Sequence, residues 1–190
     1  MMKSSQAIAE RRPTYDDILA LPEHLVGEIL VGALYTHPRP APKHARAYSA
    51  LGYLIGGPYD GGLDGPGGWW IIDEPELHLG GDILVPDLAG WRRERLPSLP
   101  EASWFELAPD WVCEILSPST TATDRAVKMP IYAREQVPFL WLIDPDARTL
   151  EVYERQGNGH WLLRETLSED ADVSQPPFEA TLFSLGGLWV

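Results

Sequence analysis

Two carboxylates in this chain sit where an unpaired charge is costly. Asp87 follows Pro86 inside the apolar run ILVPDLAGW, and Glu114 interrupts the apolar run DWVCEIL. A buried carboxylate needs a compensating partner. A hard divalent cation such as Mg²⁺ suits the pair, because it takes oxygen ligands and is commonly held by one or two carboxylates plus water and substrate phosphate. Strand alternation puts residue 116 on the face of Glu114, where a lysine would reach the same substrate, but the residue there is Leu116. The next lysine downstream is Lys128, four residues after Asp124 on a predicted helix. From there its ammonium could orient an attacking water and stabilise charge developing on phosphoryl oxygens. A bound metal would lower the pKa of its water and polarise the phosphate. The chemistry these residues point to is metal-dependent phosphodiester hydrolysis.

The elements that must position them are legible in outline. Thr14 and Asp17 form a capping-box-like start to a short helix before Pro22, and EILVGALY reads as a strand interrupted at Gly32 by a turn or bulge. After the proline-rich THPRPAPK, the spacing of Ala47, Leu51, Leu54 and Ile55 predicts a helix that Gly56-Gly57 stop. The glycine-rich stretch 56–68 contains no phosphate-binding fingerprint and reads as a flexible loop. Strand patterns follow at 69–73, 83–91 and 110–116, the last two separated by a long polar connection. A helix to about Gln136 comes next, then FLWLI and TLEVYE joined as a hairpin across DPDAR, and WLLRETL after the turn signal QGNG. The order predicts an α/β or α+β domain with one central mixed sheet flanked by helices and a C-terminal hairpin or meander. Residues 1–12 read as a flexible N-terminal arm and 13–190 as a single domain.

Composition narrows the function classes. The chain has 190 residues and a hydrophobic content of 44%, enough to bury a core. No run reaches the roughly 20 apolar residues that span a bilayer, and the N-terminus has no secretory-signal pattern, so a cytoplasmic protein without a membrane partner is expected. The single Cys113 excludes an internal disulfide, and the scattered histidines show no zinc spacing. The net charge of −13 opposes binding to a polyanion, although Arg39, Lys43 and Arg46 cluster in one stretch and Arg92, Arg93 and Arg95 in another. Either cluster reads as a solvated surface or as phosphate contacts.

The stretches PTYDDILALPE, EILVGALY, PRPAPKH, VPDLAGW and DWVCEILSPSTTATDRAVKMPIYAREQVPFLWLIDPDARTLEVY together resemble the Uma-type putative restriction endonucleases of the PD-(D/E)XK nuclease superfamily. The resemblance spans about Pro13 to the C-terminus. It implies a restriction-endonuclease-like core and Mg²⁺-dependent hydrolysis of DNA phosphodiester bonds, with Mn²⁺ as a substitute metal. It maps catalytic roles onto Glu28, Asp87, Glu114 and a displaced lysine at Lys128, and metal ligation onto Asp87, Glu114 and the backbone carbonyl of Ile115. This chain departs from the family pattern at Gly32-Ala33-Leu34, where a second acid is usual. Pro130 also falls early in the helix that carries Lys128.

Other residues read more plainly. His44 suits a helix-start capping or packing role as well as a substrate contact, and Thr123 and Asp124 read as helix N-cap candidates. Cys113 points away from Glu114, as a small core residue would. The tryptophans suit a core or an oligomer contact, and a homodimer is expected because nuclease folds that cut duplexes often pair. The alternative to a DNA endonuclease is a catalytically silent nuclease-fold module used for binding or assembly. A third reading is hydrolysis of a smaller phosphodiester, which an acidic surface tolerates better than DNA.

Overall fold

The computed structural model describes residues 11–189, so all of the predicted N-terminal arm except Arg11 and Arg12 lies outside the described residues. Order begins at α1 (Tyr15–Leu19), whose start is fixed as the sequence implies: the Asp17 carboxylate accepts the Thr14 backbone N–H at 2.7 Å and its hydroxyl at 3.1 Å. β1 (Leu25–Leu30) and β2 (Ala33–Pro38) form a hairpin. Val31 and Gly32 both have positive φ, 52° and 77°, so the interruption at Gly32 is a two-residue turn whose twist suits the flanking strands.

α2 (Pro42–Ile55) buries Ala47, Ala50, Leu51 and Ile55. Contrary to expectation, Gly56-Gly57 do not end the helical path: it continues as a π turn, Gly56–Asp60, that places Tyr59 in the core and Asp60 against Arg93. The start of the predicted flexible loop is thus an ordered packing element. β3 (Trp69–Asp73), β4 (Leu77–Leu79), β5 (Asp82–Leu84) and β6 (Leu88–Arg92) follow. The predicted strand 83–91 is therefore two strands in different sheets, broken at Val85-Pro86-Asp87. Pro86 has no N–H to give a ladder, and a break at proline is the physical expectation.

β7 (Trp111–Ile115) carries Glu114. The chain then crosses over through α3 (Thr121–Thr123), a π turn (Asp124–Lys128) and α4 (Met129–Arg134) to β8 (Phe139–Asp144), which lies parallel to β7. The extra residue of the π turn lets the helical path pass Pro130 without a break, since the missing proline N–H falls where the bonding register changes. β9 (Thr149–Arg155) and β10 (Trp161–Ser168) complete the expected meander. A small pair, β11 (Asp172–Val173) and β12 (Phe183–Ser184), was not expected from the sequence.

The central sheet is six-stranded and mixed, in the order β10-β9-β8-β7-β6-β3, and a second sheet runs β2-β1-β5-β4. Alternation along β7 divides two cores. Trp111, Cys113 and Ile115 face α2 and the C-terminal segment, whereas Val112 and Leu116 face α4 and the smaller sheet. Glu114 therefore points toward α4 and the smaller sheet, with Cys113 on the other face. Phe178 ties the C-terminal segment into the first core, its ring centroid 4.7 Å from Tyr59, 4.9 Å from Trp111 and 5.1 Å from Trp69. Among the described residues no helix is long and apolar enough to cross a membrane.

Because Phe178 fills the space among these rings, Phe178→Ala is expected to lower unfolding free energy by about 3–5 kcal/mol, as large aromatic truncations in cores do. Chemical denaturation measures it. A loss below about 1 kcal/mol would show that the C-terminal segment does not hold this core.

Candidate active site

Five segments meet at one end of β7. The β1–β2 hairpin brings Glu28, the break between β5 and β6 presents Asp87, and β7 supplies Glu114. The crossover helix adds Asp124, Lys128 and Tyr132, which share one face because they are four residues apart. α2 adds His44 from its first turn. Asp87, Glu114, Asp124, Lys128 and His44 line a cavity of about 300 Å³, walled further out by Pro38, Arg39, Pro40 and the Ser117–Thr120 loop.

The Lys128 ammonium is the centre of the cluster. It lies 2.9 Å from Glu28 Oε1, 3.2 Å from Glu114 Oε1 and 3.6 Å from Asp124 Oδ1, and it also donates to the Val85 carbonyl at 3.4 Å. Tyr132 donates its hydroxyl to Glu114 Oε1 at 2.5 Å. Glu28 Oε1 also accepts the Val85 backbone N–H at 2.8 Å, so the β5–β6 break is tied to β1 through this carboxylate. Glu28 is not on the cavity wall and meets the site through Lys128. Asp87 is held differently: Oδ2 accepts the Ile115 N–H at 2.7 Å, and Oδ1 faces His44 Nε2 at 3.3 Å.

Burial and charge set the protonation tendencies. Burial pushes the Glu114 carboxyl well above its ordinary range against the pull of Lys128, and the Asp124, Asp87 and Glu28 charges push the same way. Asp124 is raised for the same first reason, burial, again opposed by Lys128. Burial disfavours the Lys128 ammonium, yet Glu114, Glu28 and Asp124 outweigh it and hold the pKa well above that of a free lysine. Burial likewise disfavours the His44 imidazolium, but hydrogen bonding and charge from Asp87, with the Ile115 backbone, leave its pKa raised. His44 Nδ1 is buried and has no partner among the described residues.

A family model described as "Putative restriction endonuclease", Uma2, matches residues 15–185. The chain belongs to this family. Among solved structures, the crystal structure of a putative nuclease of the DUF820 group from Anabaena variabilis is similar, with 28% identity, a TM-score of 0.73, and coverage of 93% of this chain and 97% of that one. A comparison with curated proteins finds no match.

Within this Uma2 fold, Glu28, Asp87, Glu114 and Lys128, far apart in sequence, converge at one place. Ile115 is there too, its N–H donating to Asp87. Sequence reasoning missed three neighbours. Asp124 is no N-cap: it is 3% exposed inside the helical path and paired with Lys128. No sequence motif by itself singles out Tyr132, and His44, which reads equally as a capping or packing residue and as a substrate contact, lies on the cavity wall beside Asp87. The spacing Asp124, Lys128, Tyr132 was the available signal, since residues at i, i+4 and i+8 share a helix face.

Removing the ammonium leaves Glu114 and Glu28 buried and unpaired, so Lys128→Met is expected to cost about 3–5 kcal/mol near pH 8. A carboxyl with a raised folded-state pKa contributes stability at low pH that is lost as pH rises through that pKa. The penalty should accordingly shrink toward pH 5, where Glu114 can stay protonated. Equal losses at both pH values in urea melts would show that the buried charge is not the cause.

Proposed function

We propose that this cavity is the active site of a divalent-metal-dependent endonuclease that hydrolyses DNA phosphodiester bonds, with Mg²⁺ as the natural metal and Mn²⁺ able to replace it. The observation that carries the reading is the buried Lys128 ammonium held among Glu28, Glu114 and Asp124 at the wall of a cavity that also exposes Asp87. Membership of the Uma2 family supports it.

The donor set fits a hard cation in kind. Glu28, Glu114 and Asp124 surround a single ammonium and Asp87 stands on the same cavity, so carboxylate oxygens outnumber the lysine charge at the site. Asp87 Oδ1, Glu114 and the Ile115 carbonyl would hold the ion. Among the described residues no group of three or more His, Cys, Asp and Glu is arranged to hold a metal, so water and substrate phosphate would complete its shell. When bound, the ion supplies Lewis acidity toward the phosphate and a water of lowered pKa.

The chain's own residues do the positioning. Lys128, its direction fixed by Glu28 and Asp124, sets a positive charge at the cavity wall, where it would stabilise charge developing on a phosphoryl oxygen. Tyr132 keeps Glu114 in one orientation. Asp87 is aimed by the Ile115 N–H, and His44 Nε2, 3.3 Å from Oδ1, steadies its other oxygen.

On this reading Asp87→Asn and Glu114→Gln each lower Mg²⁺-dependent or Mn²⁺-dependent DNA cleavage by about a thousandfold or more while circular dichroism stays native. Folded wild-type protein that cuts no DNA with either metal would sink it.

One observation favours a second reading, a catalytically silent module. Both oxygens of Glu114 accept from Lys128, and Oε1 accepts from Tyr132 as well, so this carboxylate is satisfied without an ion. Titration calorimetry with Mn²⁺ separates the two. Binding that Asp87→Asn weakens at least about tenfold supports the metal site, and no binding at millimolar Mn²⁺ supports the silent module.

A further inference from the structure

We infer that the site takes an unpaired DNA strand and not an intact duplex. This rests on the nuclease reading above and concerns which DNA can reach the catalytic groups. The first observation is recess. The side chains of Asp87, Lys128 and Glu114 are only 14%, 4% and 3% exposed, at the wall of a cavity of about 300 Å³. That volume is at the small end of ligand pockets, which run from about 300 to 1,000 Å³. A stiff double helix meets a protein across a broad surface, whereas a single strand can turn one nucleotide and its phosphodiester inward.

The second observation is the chemistry of the outer wall. Val26, Pro38, Pro40, Ala41 and Pro118 make it largely apolar. Apolar walls suit the faces of unpaired bases and sugars, which a duplex keeps stacked inside. Duplex binding draws instead on a spread of cations over two rows of phosphates.

The third observation is where the cations go. Arg39 is the arginine on the cavity wall, and it lies 3.5 Å from Glu74. Lys43 pairs with Asp146, and Arg46 donates to the Gly187 carbonyl. The other basic stretch is equally engaged: Arg93 with Asp60, Arg95 with Asp110, and Arg92 over the Trp69 ring. Each cation of both clusters thus has a partner in the free protein, with which duplex phosphates would have to compete. With a net charge of −13, the molecule as a whole repels the more densely charged polymer more strongly.

The test uses the full chain with Mn²⁺ and three end-labelled DNAs of one sequence: a single strand, a blunt duplex, and a duplex carrying an unpaired flap. The expected result is cleavage of the single strand and the flap at least about tenfold faster than the duplex, with flap cuts confined to unpaired nucleotides. Duplex cut as fast as single strand, or flap substrate cut within its paired part, overturns this inference and leaves the nuclease reading intact. No cleavage of any of the three overturns both. Asp87→Asn must lose every cut, which excludes a contaminating nuclease as the source.

Discussion

The structure depends on one buried ammonium. Lys128 is 3% exposed, and an amine so placed needs carboxylates to stay charged and acceptors for its protons. Glu28 from β1, Glu114 from β7, Asp124 from the preceding helical turn and the Val85 carbonyl from the strand break supply them. Meeting that demand forces the smaller sheet, the central sheet and the crossover helix to converge at one point. The same convergence creates the cavity, because the strand break at Val85-Pro86-Asp87 leaves the sheets apart where Asp87 emerges.

The rest of the fold makes this convergence rigid. Trp111 and Cys113 lock one face of β7 into an aromatic core with Trp141 and Phe178, which leaves the other face free to carry Glu114 among aliphatic neighbours. A carboxylate on a strand buried on both faces cannot swing away, so its position relative to Lys128 is set by backbone pairing with β6 and the parallel β8. The low dielectric around it strengthens each hydrogen bond and raises the cost of any missing one. Tyr132 and the Val85 contacts belong to this network: they satisfy groups that would otherwise be stranded.

Much of the scaffold was legible because it rests on local patterns. The capping box at Thr14, the hairpins and the period of α2 are short-range effects, and the mixed sheet follows from their order. Three readings failed where a distant partner decides. Gly56-Gly57 continue into a π turn because Tyr59 has an aromatic core to enter. The run 83–91 is apolar throughout, so hydropathy alone cannot show that it serves two sheets. Asp124 looked like a cap because acids favour helix starts, and only the ammonium one turn later explains its burial.

By itself, the sequence determined the candidate carboxylates. Asp87 and Glu114 interrupt apolar runs, and a charge in such a run calls for a partner wherever the chain folds. It also determined the family, through a long ordered series of motifs. Only the tertiary structure decided who the partners are. Lys128 meets Glu28 across about a hundred positions of chain and His44 meets Asp87 across some forty, and such contacts are set by sheet order and strand breaks, which residue spacing does not encode. The pairing of Arg39 at the cavity wall, and of Arg93 and Arg95 elsewhere, was likewise invisible in a list of charges, because it depends on which carboxylate is folded against each cation.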